Sequence, residues 1–414
     1  MRIAVIGGGL VGAASVHALL DEGHAVDWLD RAGLAAGASA GNAGWIAHMD
    51  ILPLASPKVW RQMPRWLLDP LGPLSIRPAY LPKLAPFLAR FVAASRGARI
   101  EDSTRAITAL NGLSLPAWER RLNALGLTGH LRRKGILSVW PSLAEADAAK
   151  TLLARQKSLG IDVEWLDREA LVALEPALGP KAAKGALYGG GCHVSDPKAL
   201  TLDLGRVAIE RGARLLTMEV VAVKPQADAV ALVTGMDSLA LYDRVVIAAG
   251  AWSKPLAASV GDAVPLDTER GYNVTLPAGQ LGLTRPVMYE GQGFVTTPLD
   301  SGDRIGGSVE FAGLEAPPNY ARVDAILGRA RRFLPEADLS GGTRWMGFRP
   351  SIPDSLPVIS TASRDPRIVH AFGHGHYGLT QAAASAEIVA DILAGRPPAI
   401  DITPYSPRRF AERF

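Results

Sequence analysis

The segment Ile3-Ala-Val-Ile-Gly-Gly-Gly-Leu-Val-Gly12 decides the fold of the N-terminal part of the chain. Its apolar start predicts a buried strand, and Gly7, Gly9 and Gly12 then form a G-x-G-x-x-G motif where a helical pattern begins. In such a turn the first glycine allows a tight bend and the second lets a pyrophosphate approach the backbone. The third lets the helix pack closely on the strand. The motif therefore predicts a dinucleotide-binding βαβ unit.

An acidic residue stands where the ribose of a dinucleotide would lie. Asp30 closes a second predicted strand, Ala25 to Leu29, and its carboxylate can bind a ribose hydroxyl. NAD and FAD share the adenosine half that this unit would bind, so the motif does not separate them. The small-residue loop Gly37 to Gly44 and the apolar strand Arg244 to Ala249 are the segments that could meet the rest of a large planar cofactor.

The composition of the chain excludes several functional classes. Its 414 residues contain one cysteine, Cys192, so an intramolecular disulfide framework and a Cys-ligated iron–sulfur cluster are excluded. Lys and Arg number 44 and Asp and Glu 40, and a net charge of +4 is too small to indicate nucleic-acid binding. No apolar run is long enough to span a bilayer, and the N-terminus enters a strand without room for a signal peptide. We therefore expect a cytoplasmic protein.

Further segments follow the first motif along the chain: Asp30-Arg31, Ala40-Gly-Asn-Ala-Gly44, Ala248-Ala-Gly-Ala-Trp-Ser253, Gly347-Phe-Arg-Pro350 with Pro353-Asp354 and Pro357, and Gly373-His-Gly-His-Tyr-Gly-Leu-Thr380. With them, the chain resembles the flavin-dependent D-amino-acid oxidase superfamily, most closely its bacterial D-amino-acid dehydrogenase branch. The resemblance implies an α/β fold, in which a Rossmann-like FAD-binding domain is interleaved with a mixed-sheet α+β substrate domain. We expect the FAD-binding domain at 1–50, 185–255 and 345–400, and the substrate or cap domain at 51–184 and 256–344.

The resemblance implies FAD as the cofactor. Relatives that attach flavin through cysteine carry that residue near the Arg-Pro motif, and none stands there, so non-covalent binding is expected. The residues expected to contact FAD are Gly7, Gly9, Leu10, Val11, Gly12, Asp30, Arg31, Ser39, Asn42, Ala43, Gly44, Val221, Ala249, Gly250, Trp252, Gly347, Gly373, Gly375, His376, Tyr377, Gly378, Leu379 and Thr380. A helix predicted from Leu379 to Leu393 would stabilise negative charge on the reduced flavin through its N-terminus.

The expected catalytic residues lie near the two C-terminal motifs, with two exceptions. Arg349 resembles the family arginine that binds the substrate carboxylate, a role that suits a planar guanidinium. Tyr272 and Tyr377 could each orient the substrate or serve as core aromatics. His376 is expected to contact the flavin or the substrate, and His48 to lie over the flavin. A metal is not expected, because His376 and the nearby His374 lack a third ligand at usable spacing.

The predicted reaction is FAD-dependent oxidative deamination of a D-amino acid, with D-proline and D-hydroxyproline as candidate substrates. Hydride would pass from Cα to flavin N5, and the imine would hydrolyse to a 2-oxo acid and ammonia. The electrons would pass to a quinone or to another acceptor. Two alternatives stay open: a secondary amine oxidase of the glycine or sarcosine type, and a flavin-bearing electron-transfer subunit of a hetero-oligomer.

A basic and aromatic helical insertion at 53–99 has two interpretations. Trp60, Trp66 and Leu67 alternate with the cations Arg61, Arg65 and Lys83. Such a pattern is typical of a peripheral contact with the inner face of the cytoplasmic membrane. A helical cap over the active site explains the same residues.

Overall fold

The computed structural model describes residues 1–56, 69, 71–235 and 239–411. Its strands are β1 (Arg2–Ile6), β2 (Ala25–Asp30), β3 (Trp45–Ile46), β4 (Leu74–Ile76), β5 (Leu131–Arg132), β6 (Ile136–Trp140), β7 (Glu164–Leu166), β8 (Lys184–Tyr188), β9 (Cys192–Val194), β10 (Arg214–Thr217), β11 (Val220–Pro225), β12 (Val230–Thr234), β13 (Leu239–Tyr242), β14 (Arg244–Ile247), β15 (Asp267–Leu276), β16 (Val287–Tyr289), β17 (Phe294–Leu299), β18 (Gly302–Phe311), β19 (Thr343–Ser351), β20 (Val358–Thr361) and β21 (Ile368–Phe372).

The α-helices between these strands are α1 (Leu10–Asp21), α2 (Leu81–Ala94), α3 (Ala98–Ala124), α4 (Leu143–Ala148), α5 (Lys150–Ser158), α6 (Arg168–Leu174), α7 (Pro197–Glu210), α8 (Ser253–Ser259), α9 (Ala321–Ala330) and α10 (Gly378–Ala394). Short 3₁₀ turns occur at Pro78–Tyr80, Thr128–His130, Gly250–Trp252, Gly375–Tyr377, Thr403–Tyr405 and Pro407–Phe410.

One sheet carries the predicted dinucleotide-binding unit. Its six strands lie in the order β10-β2-β1-β14-β21-β20, and all neighbours are parallel except β20 and β21. Apolar residues of β1 and β14 are fully buried, as expected for strands covered on both faces. The predicted strand–turn–helix at the N-terminus is confirmed, and so is the predicted C-terminal helix, which ends at Gly395 in the left-handed conformation.

A second, mixed sheet forms the other half of the molecule. Its strands lie in the order β19-β15-β18-β17-β16-β6-β8-β7, and β4 pairs with β18. The long strands β15, β18 and β19 are antiparallel neighbours, whereas β6 and β16 run parallel. One face packs on α9 through a cluster of buried aromatic rings that includes Tyr289, Phe294 and Phe333. The predicted fold class, α/β with an interleaved mixed-sheet domain, is confirmed.

Three elements pair or pack outside the domain for which their sequence range was expected. β8 and β19 fall almost wholly within 185–255 and 345–400, the ranges expected for FAD binding, but both pair in the mixed sheet. Helix α3 falls within 51–184, yet its Ile107, Leu110 and Trp118 pack in the core that holds α1 and α10. Hydrophobic periodicity shows that a helix buries one face, but it does not show against which domain that face packs.

The insertion at 53–99 is described only in part. Trp60, Arg61, Arg65, Trp66 and Leu67 lie outside the described residues. Within the described part, α2 buries Leu84 and Phe87 against the mixed sheet and leaves Lys83 exposed. Over the ranges that the structure describes, we find no helix with the length and apolarity needed to cross a membrane.

Candidate active site

A cavity of about 640 Å³ lies between the two sheets. At one end it is lined by the turns that follow the carboxyl ends of β1, β14 and β21, the edge of a parallel sheet where ligands commonly bind. At the other end it is lined by residues of β15 and β19 and by α2. The cavity therefore joins the predicted dinucleotide turn to the mixed sheet.

The glycine turn after β1 is packed too closely for side chains. Gly7 has a φ of 125°, and a Cβ there would overlap the carbonyl of Ala248 at the end of β14. A Cβ on Gly12 would overlap the carbonyl of Gly7, so α1 can approach β1 only with glycine at this position. The roles assigned to these two glycines from the motif agree with this packing.

The N-terminus of α1 lies at the cavity, where Gly9 and Leu10 are part of the lining. Gly9, at the helix N-cap, provides no side-chain cap, and the first turn contains no acidic residue. Ser39 Oγ accepts from the Leu10 amide at 3.0 Å. The positive end of the helix dipole and the neighbouring amides make this turn suitable for a pyrophosphate.

Asp30 and Arg31 follow β2 on the cavity wall. The two carboxylate oxygens of Asp30 accept from the amides of Gly8 at 2.7 Å and Ala32 at 2.8 Å. Because each oxygen has a second lone pair, the fixed carboxylate can still accept from ribose hydroxyls. The Arg31 guanidinium lies 3.8 Å from the centre of the Trp252 ring, which places a cation on an aromatic wall of the cavity.

Every residue of the segment 373–380 lines the cavity, and the segment leads into α10. Thr380 Oγ1 accepts from the Ala47 amide at 3.0 Å, which joins the start of α10 to the segment after β3. His374 is buried and bonds Ser385 Oγ at 2.9 Å. Burial lowers the pKa of His374 to about 3, so this imidazole is neutral. Tyr377 is also buried beside the cavity, and burial raises the pKa of its hydroxyl.

The register of β15 and β19 places three groups on one cavity-facing surface. Glu269 lies directly opposite Arg349, and Gly271 lies opposite Gly347. The Arg349 guanidinium occupies the space over Gly271, where a Cβ would overlap it. Its Nη1 donates to the carbonyl of Ser308 at 3.0 Å. Arg349 is thus held as part of the cavity wall.

Ser308 lies at a bulge in β18 where the pairing with β15 shifts. Its φ is 63°, unusual for a serine, and its hydroxyl accepts from Arg322 Nε at 2.8 Å. The bulge turns the Ser308 carbonyl toward Arg349. Strained backbone of this kind is common beside binding sites.

Glu269 and His376 form a hydrogen-bonded pair beside Arg349. His376 Nε2 donates to Glu269 Oε2 at 2.6 Å, and Glu269 is 6% exposed. Burial alone would raise the pKa of Glu269, but the neighbouring His376 and Arg349 hold it below its usual range. Burial lowers the pKa of Arg349, and Glu269 opposes this effect. An arginine nevertheless keeps its charge.

The structure gives Tyr272 a core position. Tyr272 belongs to β15 and lines the cavity, and its side chain also packs in the buried hydrophobic cluster of the mixed sheet. Its hydroxyl donates to Glu310 Oε2 at 2.5 Å and accepts from the Asn319 amide at 3.1 Å. Tyr272 therefore has the contacts of a core aromatic and a place in the cavity lining, and both of its predicted roles stay open.

His48, expected over the flavin, does not line the cavity. Its Nε2 is near Gly190, in the loop before β9, and burial lowers the pKa of the imidazole. The segment that contains His48 does reach the cavity, but the residues of it that line the cavity are the neighbouring Ala47 and Asp50.

Most residues expected to contact FAD line the cavity, and four do not: Val11, Gly12, Gly44 and Val221. Val11 and Gly12 belong to the helix behind the turn, while Val221 is 46% exposed on β11. Its neighbour Val220 lines the cavity, because adjacent residues of a strand face opposite sides.

Asp50 is a cavity residue that the sequence did not indicate. Asn111 Nδ2 donates to its backbone carbonyl at 2.7 Å, which fixes the irregular segment after β3. Burial, together with the charge of Glu290, raises the pKa of the Asp50 carboxyl to about 7. The sequence did not indicate Glu269 either. Neither Asp50 nor Glu269 belongs to a motif, and only the folded chain brings them to the cavity that Arg349 lines.

Cys192 is buried in β9 and is absent from the cavity lining. Its Sγ lies 3.5 Å from the Gly190 carbonyl, and burial raises the pKa of the thiol. This position does not offer a thiolate to a cofactor in the cavity.

Comparison with known proteins decides the family. The family model for FAD dependent oxidoreductases (DAO) matches residues 2–392. The chain belongs to the DAO family of FAD-dependent oxidoreductases. A D-amino-acid oxidase of Bradyrhizobium diazoefficiens is 36% identical over 420 residues, which cover 99% of each protein. D-amino acid dehydrogenase 2 of Ralstonia nicotianae is 30% identical and covers 98% of this chain and 99% of its own length.

Solved structures with the fold of this DAO-family chain include a glycine oxidase and an L-proline dehydrogenase. The glycine oxidase from Geobacillus kaustophilus has a TM-score of 0.73 at 24% identity and covers 98% of both chains. The L-proline dehydrogenase from P. horikoshii has a TM-score of 0.74 at 19% identity, with 99% and 97% covered. At these identities the likeness supports the fold alone.

The cavity of this DAO-family chain fits FAD. The glycine turn is built so closely that a Cβ on Gly7 would overlap the Ala248 carbonyl and one on Gly9 would crowd Ser39 Oγ, and Asp30 carries the acceptors for a ribose. Gly373 and Gly375 give close access to the middle of the cavity, where the N-terminus of α10 points. These residues would hold the two halves of the cofactor, with Arg349 and Glu269 beyond its flavin end.

Proposed function

We propose that the chain oxidises D-amino acids at the Cα–N bond, using non-covalently bound FAD. The observation that carries the proposal is the Arg349 guanidinium, which faces the cavity on the side opposite the dinucleotide turn. Within the described ranges, no carboxylate lies within ion-pair distance of it. Such a guanidinium suits a substrate carboxylate, which it can bind bidentately. The D configuration is taken from the two relatives that are named for D-amino acids.

In this proposal the chain itself positions the substrate and handles its proton. Arg349 binds the carboxylate, and Asp50 receives the ammonium group and its proton, for which a carboxyl pKa of about 7 is suitable. FAD, when bound, supplies the acceptor for the hydride that leaves Cα. The N-terminus of α10 stabilises negative charge at the centre of the cavity, and α2 covers the substrate from water.

The finer features of the proposal concern the substrate side chain and the acceptor. D-Proline and D-hydroxyproline are included among the substrates because their carboxylate and amine need the same two groups. Electrons pass to a quinone or another acceptor in the cytoplasm or at the inner face of the membrane. The position of Cys192 in β9 supports non-covalent FAD.

The experiment is anaerobic mixing of the yellow holoenzyme with paired D- and L-amino acids, including proline and hydroxyproline. We expect the D enantiomers to bleach the long-wavelength flavin band and the L enantiomers to leave it. Bleaching by glycine or sarcosine alone would replace the proposal with secondary amine oxidation. No bleaching by any of them would replace it with an electron-transfer subunit.

The same sample resolves the remaining features. Reoxidation of the bleached enzyme by air, or only by a soluble quinone, identifies the class of acceptor. Acid precipitation should leave the yellow colour in the supernatant if FAD is non-covalent, whereas a yellow pellet would contradict that feature.

A further inference from the structure

We propose that His376 is a second ligand of the substrate carboxylate and binds it only in the protonated form. The inference rests on the proposed function, since it concerns the same carboxylate that Arg349 binds. It adds a residue whose contribution to substrate affinity changes with pH.

A negative charge lies close to the Arg349 guanidinium. Glu269 is its direct cross-strand partner, so the two side chains leave the sheet on the same face, where one carboxylate offsets one guanidinium. Glu269 is buried, so this negative charge is poorly screened by water. The pair alone therefore presents little net charge to an incoming carboxylate.

The imidazole of His376 forms a cluster with Glu269 and Arg349. His376 Nε2 donates to Glu269, which leaves Nδ1 as the other ring nitrogen. Its side chain is 33% exposed, and the residue lines the main cavity and a small one beside it. In the neutral ring Nδ1 carries a lone pair that repels a carboxylate. In the protonated ring Nδ1 donates to it, and the cluster of three gains a net positive charge.

The other groups that face His376 do not change this account. The small cavity beside it is otherwise lined by apolar and hydroxyl side chains and by His374 and Tyr377, both neutral at ordinary pH. Asp267, two residues before Glu269 on β15, is absent from the lining of both cavities, and it accepts from the Tyr80 hydroxyl at 3.0 Å. In the described part of the chain, Glu269 and Arg349 are the charged groups beside the imidazole, and Asp50, whose pKa burial raises to about 7, is another titratable group in the main cavity lining. The His376 variant separates the titration of Asp50 from that of the imidazole.

The test measures binding of benzoate, a carboxylate without an amine, to the FAD-loaded enzyme. Its Kd is taken from the change in flavin absorbance and from calorimetry across about pH 5.5 to 8.5. We expect the wild-type Kd to rise by roughly tenfold over this range, as the loss of one charged hydrogen bond implies. His376→Asn removes the ionisable ring. It should bind weakly at every pH, as the wild type does at high pH.

Two further variants separate a ligand from a merely structural residue. Glu269→Gln removes the charge that offsets Arg349 and keeps the imidazole, so benzoate should bind more tightly than to the wild type at every pH while its Kd still rises with pH. His130→Asn is the control, because His130 pairs with Asp203 at 2.9 Å outside the cavity lining. It should keep the wild-type profile.

A wild-type Kd that is flat or that falls as pH rises would overturn the proposal, as would an unchanged profile in His376→Asn. His376 would instead act as a base if the benzoate Kd did not change with pH, while kcat of the wild type did change with pH and this dependence was lost in His376→Asn. If no amino acid reduces the flavin but benzoate binds with the expected pH dependence, the proposed reaction fails while the carboxylate ligand stands.

Discussion

The two ends of the cavity are built in different ways. At the dinucleotide end, one local segment supplies the geometry: β1, the glycine turn and the first turn of α1 are continuous in sequence. At the substrate end, Asp50, Glu269, Arg349 and His376 come from four separate parts of the chain. The first end binds through backbone and the second through side chains, so substitutions should act on them differently.

The largest effect should come from removing the guanidinium at the substrate end. We expect Arg349→Ala to lower kcat/KM by on the order of 10³-fold, about 4 kcal/mol, through lost orientation and charge. Bound flavin should stay unchanged, because Arg349 is not part of the dinucleotide turn. Steady-state kinetics and flavin content per chain measure both quantities.

The matched control for that change is Arg344→Ala on the same strand. Arg344 is exposed and pairs with Asp324 at 2.5 Å, so its loss should leave turnover near the wild-type value. Equal losses in both variants would mean that β19 is disturbed as a strand and that Arg349 has no special role.

At the dinucleotide end we expect a substitution to lower stability and flavin content. Gly12→Ala forces a Cβ onto the Gly7 carbonyl, which can be relieved only by moving α1 away from β1. We expect a loss of roughly 3 kcal/mol in stability together with lost FAD. Thermal unfolding and flavin content report it. Gly112→Ala in α3, where a Cβ meets nothing, serves as the control, and comparable effects there would contradict the packing argument.

The sequence was sufficient for the first end and insufficient for the second. The roles of Gly7 and Asp30 could be predicted because their partners lie within one βαβ unit. Glu269 could not be recognised, since its role depends on facing Arg349 across a register that the sequence does not specify.

A smaller effect should follow from displacing Arg349 without removing it. A Cβ in Gly271→Ala would overlap the guanidinium, which is a flexible group and can move aside. We expect kcat/KM to fall by about tenfold, with little change in melting temperature. In Gly190→Ala the Cβ would meet only His48 Nε2, at 3.7 Å, so kinetics should stay normal. A Gly271→Ala enzyme as active as the wild type would show that the guanidinium position is not critical.

The smallest effect concerns Asp50 and pH. Its pKa rises from 3.8 to about 7 on folding, so the folded chain holds a proton that the unfolded chain releases between these values. Stability is therefore lost as pH rises through this window, and Asp50→Asn should avoid the loss. We expect Asp50→Asn to melt higher than the wild type by ~2 °C near pH 8 and equally near pH 4, with water in the cavity reducing the effect.

The control for Asp50 is Asp228→Asn, at an exposed position between β11 and β12. It should melt as the wild type does at both pH values. If Asp50→Asn raised the melting temperature more at pH 4 than at pH 8, the pKa of Asp50 could not be raised in the folded chain.

The central claim is that Arg349 recognises the substrate carboxylate, and one double cycle tests it most directly. The rate of anaerobic flavin reduction is measured for the best D-amino acid and for its amide, in the wild type and in Arg349→Ala. We expect the amide to react far more slowly than the acid in the wild type, and the two to react at similar low rates in the variant. An acid-to-amide ratio that is the same in both enzymes would contradict the claim.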